Sequence, residues 1–66
     1  MNVMYTQDGC PKCKILKKKL QDKNIQFSEC SDVNVMMSKG VDFTPMLEID
    51  GKMMDYATAV KWANEV

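Results

Sequence analysis

The sequence predicts a small α/β fold in the order β-α-β-α-β-β-α, a four-stranded mixed sheet flanked by three helices. Three observations lead there. The β-favouring run Val3-Met4-Tyr5 precedes a helical pattern that is followed by a second apolar alternation. A strand–helix–strand opening of this kind demands a right-handed crossover and a parallel pair. Near the other end, Asp50-Gly51 lies between two short apolar runs and is the strongest hairpin signal in the chain, so it adds an antiparallel edge.

Each element has its own local cause. Met1 to Tyr5 is short and apolar and reads as the first strand. Thr6 to Gly9 reads as a turn, with Asp8 and Gly9 supplying ordinary turn chemistry. From Pro11 to about Lys23, Cys13, Leu16 and Leu20 recur at spacings of three and four and mark one buried helix face, with Ile15 adjoining. Asn24 is the expected stop. Ile25 and Phe27 alternate with Gln26 and Ser28, which predicts a second strand running to Cys30. Ser31 or Asp32 is placed to cap a short helix whose apolar positions are Val33, Met36 and Met37, ended by Gly40. Met46 to Ile49 and Lys52 to Met54 read as the hairpin strands. Asp55 is placed to cap a last helix with Tyr56, Ala59, Val60 and Ala63 on one face and Trp62 off it, partly exposed.

At 66 residues the chain is expected to form one domain over residues 1–66. A chain of this size buries only about 60% of its unfolded surface, close to the lower limit for independent folding. The formal net charge is zero, which argues against general binding to nucleic acid or to a membrane surface. The charges are unevenly distributed. Lys12, Lys14, Lys17, Lys18, Lys19 and Lys23 crowd one segment, whose plain reading is a solvated helix face and whose sharper reading is a positive collar. No apolar run is long enough to span a membrane and no signal peptide is visible, so a cytoplasmic location is expected. Three cysteines do not make an all-disulfide scaffold, which also suits a reducing compartment.

The chemistry centres on Cys10-Pro11-Lys12-Cys13. Pro11 falls where proline is best tolerated, in the first turn of a helix. Cys10 then sits at the positive end of the helix dipole, where free N–H groups and nearby Lys12 and Lys14 favour a thiolate over a thiol. There is no histidine, so a Cys–His catalytic pair is excluded. A mononuclear zinc site would need Cys10, Cys13, Cys30 and an outside or carboxylate ligand. Cys30 and most of the seven methionines read as core fillers. Met53 and Met54 are the exception, placed where a flexible apolar lip could meet partner proteins.

A strand ending in Tyr5-Thr6, followed by the cysteine pair at a helix start, resembles the active-site entry of glutaredoxins and glutaredoxin-like thioredoxins. Thr44-Pro45 before a strand, then Asp50-Gly51, is similar to the second hallmark of that superfamily, the cis-proline loop and its hairpin. The resemblance spans essentially the whole chain and implies a minimal thioredoxin fold of the glutaredoxin-like kind. It implies that Cys10 attacks a substrate disulfide, Cys13 resolves the mixed disulfide, and cis-Pro45 packs against the pair, with Pro11 and Lys12 as supporting residues. The backbone of Thr44 would pair with extended substrate, and Asp55 would contribute to substrate binding. The substrate-binding role expected of Met53 comes instead from its place on the apolar lip.

The implied activity is that of a dithiol electron carrier, a thiol–disulfide oxidoreductase acting on protein or glutathione mixed disulfides. Its reductant would be a thioredoxin reductase or glutathione. No cofactor and no dedicated metal site are assigned, nucleic-acid and membrane partners are not expected, and a monomer is. Where many glutaredoxins hold glutathione, this chain has Gln7-Asp8, Lys12 and Met53-Met54-Asp55, and only Asp55 keeps a matching role, by capping the last helix and meeting an α-amino group. A protein partner, in the manner of the small reductants that serve ribonucleotide reductase, fits at least as well. Two other classes stay open: a metal or Fe–S cluster carrier using the same thiols, and a non-enzymatic binding domain with a redox switch.

Overall fold

The computed structural model describes residues 1–66. Its elements are β1 (Asn2–Tyr5), α1 (Pro11–Asp22), β2 (Ser28–Cys30), α2 (Val33–Ser38), β3 (Met46–Ile49), β4 (Lys52–Met54) and α3 (Tyr56–Glu65). The sheet order is β2-β1-β3-β4. β1 and β2 are parallel, and β3 runs antiparallel to both β1 and β4, so the mixed sheet follows the expected β-α-β-α-β-β-α order. Asp50 (φ 50°) and Gly51 (φ 84°) both take positive φ between β3 and β4, the backbone that a tight two-residue hairpin requires.

Alternation along the strands sorts the apolar side chains onto the two faces of the sheet. Met4, Leu47 and Met54 point to one face, where Leu16 and Leu20 of α1 and Ala59 and Ala63 of α3 close the main core. The small alanines let α3 approach the sheet, and Tyr56, Val60 and Trp62 pack around them half-buried. Tyr5 points to the opposite face and forms a smaller cluster with Met36 of α2 and Val41, with Val3, Cys30, Met46 and Met53 packed around it. On this face the Tyr5 hydroxyl donates to Glu48 Oε1 at 2.7 Å, and Lys39 lies 3.5 Å from the same oxygen. This short chain of polar groups ties the end of β1 to β3 and to the end of α2.

Three expectations are corrected. The second strand is only Ser28–Cys30, and Ile25 to Phe27 are not in it. Asn24 takes φ 57°, and the Ile25 N–H then returns to the Leu20 carbonyl. The register pairs Val3 with Ser28, and β1 starts at Asn2, whose side-chain amide, instead of a strand backbone, donates to the Gln26 carbonyl. Ile25 and Phe27 still bury part of their surface against the main core. In α2 only Met36 is buried, while Val33 and Met37 stand 53% and 71% exposed, because a helix of six residues offers little more than one ridge to the sheet. Met53 and Met54 do not form a lip: Met54 is core and Met53 is half-buried beside Tyr5.

Helix starts follow the capping residues. Asp32 accepts from the Asn34 and Val35 N–H groups and Asp55 from that of Thr58. Gly40, at φ 74°, follows the end of α2 as anticipated. Most of the lysine run is a solvated face: Lys17 pairs with Glu29 and Lys18 with Asp22, both at the surface. No helix is long and apolar enough to cross a membrane.

Candidate active site

The site is assembled at the end of the sheet where β1 finishes and β3 begins. β1 delivers Thr6, whose N–H bonds the Cys30 carbonyl of the neighbouring strand, and the turn Gln7–Gly9 leads to the helix. Gly9 sits at φ 72°, a conformation that side chains other than glycine, asparagine and aspartate rarely take. Cys10 is the N-cap of α1 with extended backbone, and Pro11 opens the helix. The cap is made by sulfur: Cys10 Sγ accepts the Cys13 backbone N–H at 3.1 Å.

Cys10 and Cys13 form a disulfide across a Cα–Cα distance of 5.3 Å. Their surroundings differ in the way a two-step exchange needs. Cys10 is half-buried at the rim, whereas Cys13 is 3% exposed and belongs to the main core. Of the two sulfurs, that of Cys10 is the one a large partner can reach. The Thr44–Pro45 bond is cis. Thr44 stands beside the pair, with its hydroxyl donating to Cys10 Sγ at 3.8 Å. Cys10 sulfur therefore has two donors, one from the helix and one from the cis-proline loop. Both interactions strengthen when the acceptor becomes an anion.

The remaining residues singled out from sequence are spread around this centre. Lys12 lies over the Tyr56 ring, 5.4 Å from its centroid, and links the first turn of α1 to the start of α3. Lys14 faces a polar hollow of about 460 Å3 beside the dithiol, also lined by Asp8, Lys17 and Glu29. Within it Lys17 is already paired with Glu29 at 3.2 Å, so the expected positive collar narrows to Lys12 and Lys14. Asp55 caps α3, and the Thr58 N–H bonded to its carboxylate holds that group below its ordinary range. Met53 points to the face away from α1 and α3. Cys30 is half-buried against the Tyr5 cluster, and no three Cys, Asp or Glu side chains gather in a metal-ligating arrangement.

Two features were not anticipated. One is the Tyr5–Glu48–Lys39 chain, in which burial, and then Glu48, push the Tyr5 hydroxyl up to about 12. The Tyr5 hydroxyl is in turn the main cause that lowers the Glu48 carboxyl. Its only sequence signal is a glutamate in a strand, on the face that the alternation gives to Tyr5. The other is an apolar hollow of about 250 Å3 that adjoins Thr44 and contains the exposed Phe43.

No protein-family model matches the chain, and no curated protein matches its sequence. Among solved structures, the crystal structure of a mutant of the thioredoxin-like protein BC3987 is similar, with a TM-score of 0.79 at 22% sequence identity. The match covers 98% of this chain and 96% of that one. At that identity the likeness carries the architecture alone. Taken with the sheet order, the three helices and the Cys10–Cys13 pair at the first strand–helix junction, it shows that this chain has a thioredoxin-like fold.

Proposed function

We propose that the protein is a glutaredoxin-like dithiol oxidoreductase that cycles Cys10 and Cys13 between dithiol and disulfide. The observation that carries this reading is the asymmetry of the pair beside a cis proline. Cys10 is reachable and receives donors from Cys13 N–H and Thr44, while Cys13 is buried one turn behind it. In the reduced protein the Cys10 thiolate attacks one sulfur of a substrate disulfide, forming a mixed disulfide and releasing the first substrate thiolate, which takes up a proton. Cys13 then loses its proton and attacks Cys10 sulfur, which closes the intramolecular disulfide and releases the second substrate thiolate. Two electrons pass to the substrate, and an external reductant, a thioredoxin reductase or glutathione, restores the dithiol.

Pro11 fixes the first helical turn, and Lys12 and Lys14 add positive charge near the Cys10 sulfur as it becomes anionic. Pro45, without an N–H, offers no competing donor to the sulfurs, and the Thr44 backbone is left to pair with extended substrate. We assign Met53 to supporting that loop through the Tyr5 cluster and Asp55 to the helix cap, with its carboxylate available to a substrate amino group. Neither a resident cofactor nor a metal belongs to this reading, and the protein acts as a monomer in the cytoplasm. The test is a redox titration of purified protein, with and without chelator, read by thiol alkylation and mass. Two thiols titrating as one two-electron couple between about −270 and −180 mV support the reading. Thiols that resist alkylation until a chelator is added would overturn it in favour of a metal or cluster carrier.

A further inference from the structure

We propose that Tyr56 is a positioning residue for the dithiol. Its ring holds the Lys12 ammonium at the first turn of α1, where that charge favours the Cys10 thiolate and hence the reduced form of the pair. The inference rests on the oxidoreductase reading and adds to it a residue from a different helix.

Lys12 is poorly placed without a partner. It lies in the first turn of α1, where free N–H groups present positive charge, and no acidic residue shares that turn. It takes part in none of the ion pairs of the molecule. An exposed lysine in this position gains by swinging outward into water, away from the helix pole and from Cys10. What meets it instead is the face of Tyr56, with the ammonium 5.4 Å from the ring centroid and so within reach of a cation–π attraction.

The ring is the fixed half of this contact. Tyr56 opens α3 and is half-buried against the main core, which contains Cys13 and against which Cys10 also packs. The cap that Asp55 makes with the Thr58 N–H secures that end of the helix. A ring attracts the ammonium without cancelling its charge, whereas a carboxylate in the same place would offset the field at Cys10.

The other charges around Cys10 are largely balanced. Asp8 of the turn and Lys14 of α1 line the same hollow with opposite signs, and Lys17 of α1 and Glu29 of β2 are paired there at 3.2 Å. The cis-proline loop presents the neutral Thr44 hydroxyl to the sulfur, and its acid, Asp42, lines the other hollow. On α3, Asp55 is engaged with its cap. Lys12 is the remaining cation, and Tyr56 decides where it stands.

The field acts on one redox state. The Cys10 thiolate, the Cys13 thiol, one proton from water and one oxidised glutathione give the Cys10–Cys13 disulfide and two glutathione thiols, so the negative charge on Cys10 vanishes on oxidation. Stabilising the thiolate by some factor therefore lowers its titration midpoint and disfavours oxidation by the same factor, wherever Cys10 is ionised. For a unit charge near a surface sulfur, that factor is about two- to fivefold.

The experiment follows the pH dependence of alkylation of the reduced protein and its oxidation in a glutathione redox buffer. Tyr56→Leu keeps apolar bulk but removes the ring. It should raise the alkylation midpoint by about 0.3–0.7 of a pH unit and favour the disulfide by the matching factor, with Tyr56→Phe close to the parent. Lys12→Met should show the same shifts, Lys12→Arg should restore the parent midpoint, and Tyr56→Leu should add nothing in the Lys12→Met background. Thermal melts check folding. In the parent, the ring current should move the Lys12 ε-methylene proton resonances upfield, a readout that needs no variant. Unshifted resonances, a Lys12→Met midpoint equal to that of the parent, or a Tyr56→Leu shift that persists without Lys12 would overturn the positioning role and leave the dithiol standing. A parent protein that does not exchange with the glutathione buffer would overturn the oxidoreductase reading itself.

Discussion

Replacing Tyr5 by phenylalanine tests the polar strut that holds the two halves of the site together. Tyr5 is 1% exposed, and its hydroxyl lies 2.7 Å from Glu48 Oε1. Phenylalanine keeps the ring and its packing, so no cavity term enters. What is lost is a hydrogen bond to a carboxylate whose side chain is only 16% exposed. Hydrogen bonds to charged groups contribute about 1.5–3 kcal/mol, and Lys39 remains to support Glu48, so a loss of about 1.5–2 kcal/mol is expected. Domains of this length have roughly 3–10 kcal/mol in total, so the change is large.

Urea unfolding at pH 7 measures it, and a double-mutant cycle with Glu48→Gln isolates the pair. The pH profile carries a second signature. The Tyr5 value is raised from 10.0 to about 12, so its contribution is complete below 10 and disappears as pH rises through about 12. The Glu48 value is lowered from 4.5, so its contribution is present above 4.5 and disappears as pH falls through the lower folded-state value. Tyr5→Phe should abolish the alkaline loss and weaken the acidic one. Unchanged stability at pH 7 together with an unchanged alkaline profile would refute the reasoning.

Three further outcomes are expected. Cys10→Ser should abolish disulfide exchange, while Cys13→Ser should accumulate mixed disulfides seen by mass; full dithiol turnover by Cys13→Ser would reverse the assignment of roles. Thr44→Val removes one of the two donors to Cys10 sulfur and should slow alkylation of the reduced protein at neutral pH by about three- to tenfold, with Thr44→Ser close to the parent. Asp55→Ala removes the cap of α3 and should lower the thermal midpoint. Because the carboxyl value is lowered from 3.8, the parent should lose this advantage only as pH falls below that value, and the two midpoints should converge there.

What was legible in the sequence is what rests on neighbours along the chain. The repeat Cys13, Leu16, Leu20, the caps Asp32 and Asp55, and the Asp50-Gly51 turn each have a short-range cause, and each is found where that cause places it. The cis bond before Pro45 was reached through resemblance, since no short-range signal separates it from an ordinary Thr-Pro step. Ile25 to Phe27 show the limit of alternation: the pattern is satisfied by packing against the core, but a strand also needs partner backbone, and β1 pairs only from Val3↔Ser28 onward. Tyr5 and Glu48 are distant in sequence and meet only through the pairing of β1 with β3.

The two adjacent methionines Met53 and Met54 are the most instructive. Neighbouring residues in a strand point to opposite faces, so both stay exposed only on an edge that is bare on both sides. In this fold α1 and α3 cover one face and the Tyr5–Met36–Val41 cluster covers the other, so Met54 is buried and Met53 half-buried. The short α2 leaves Val33 and Met37 uncovered, and Phe43 lies in the loop that leads to the cis proline. Exposed apolar surface therefore collects on the α2 side of the dithiol, because that is where the smallest helix has too few residues to bury it.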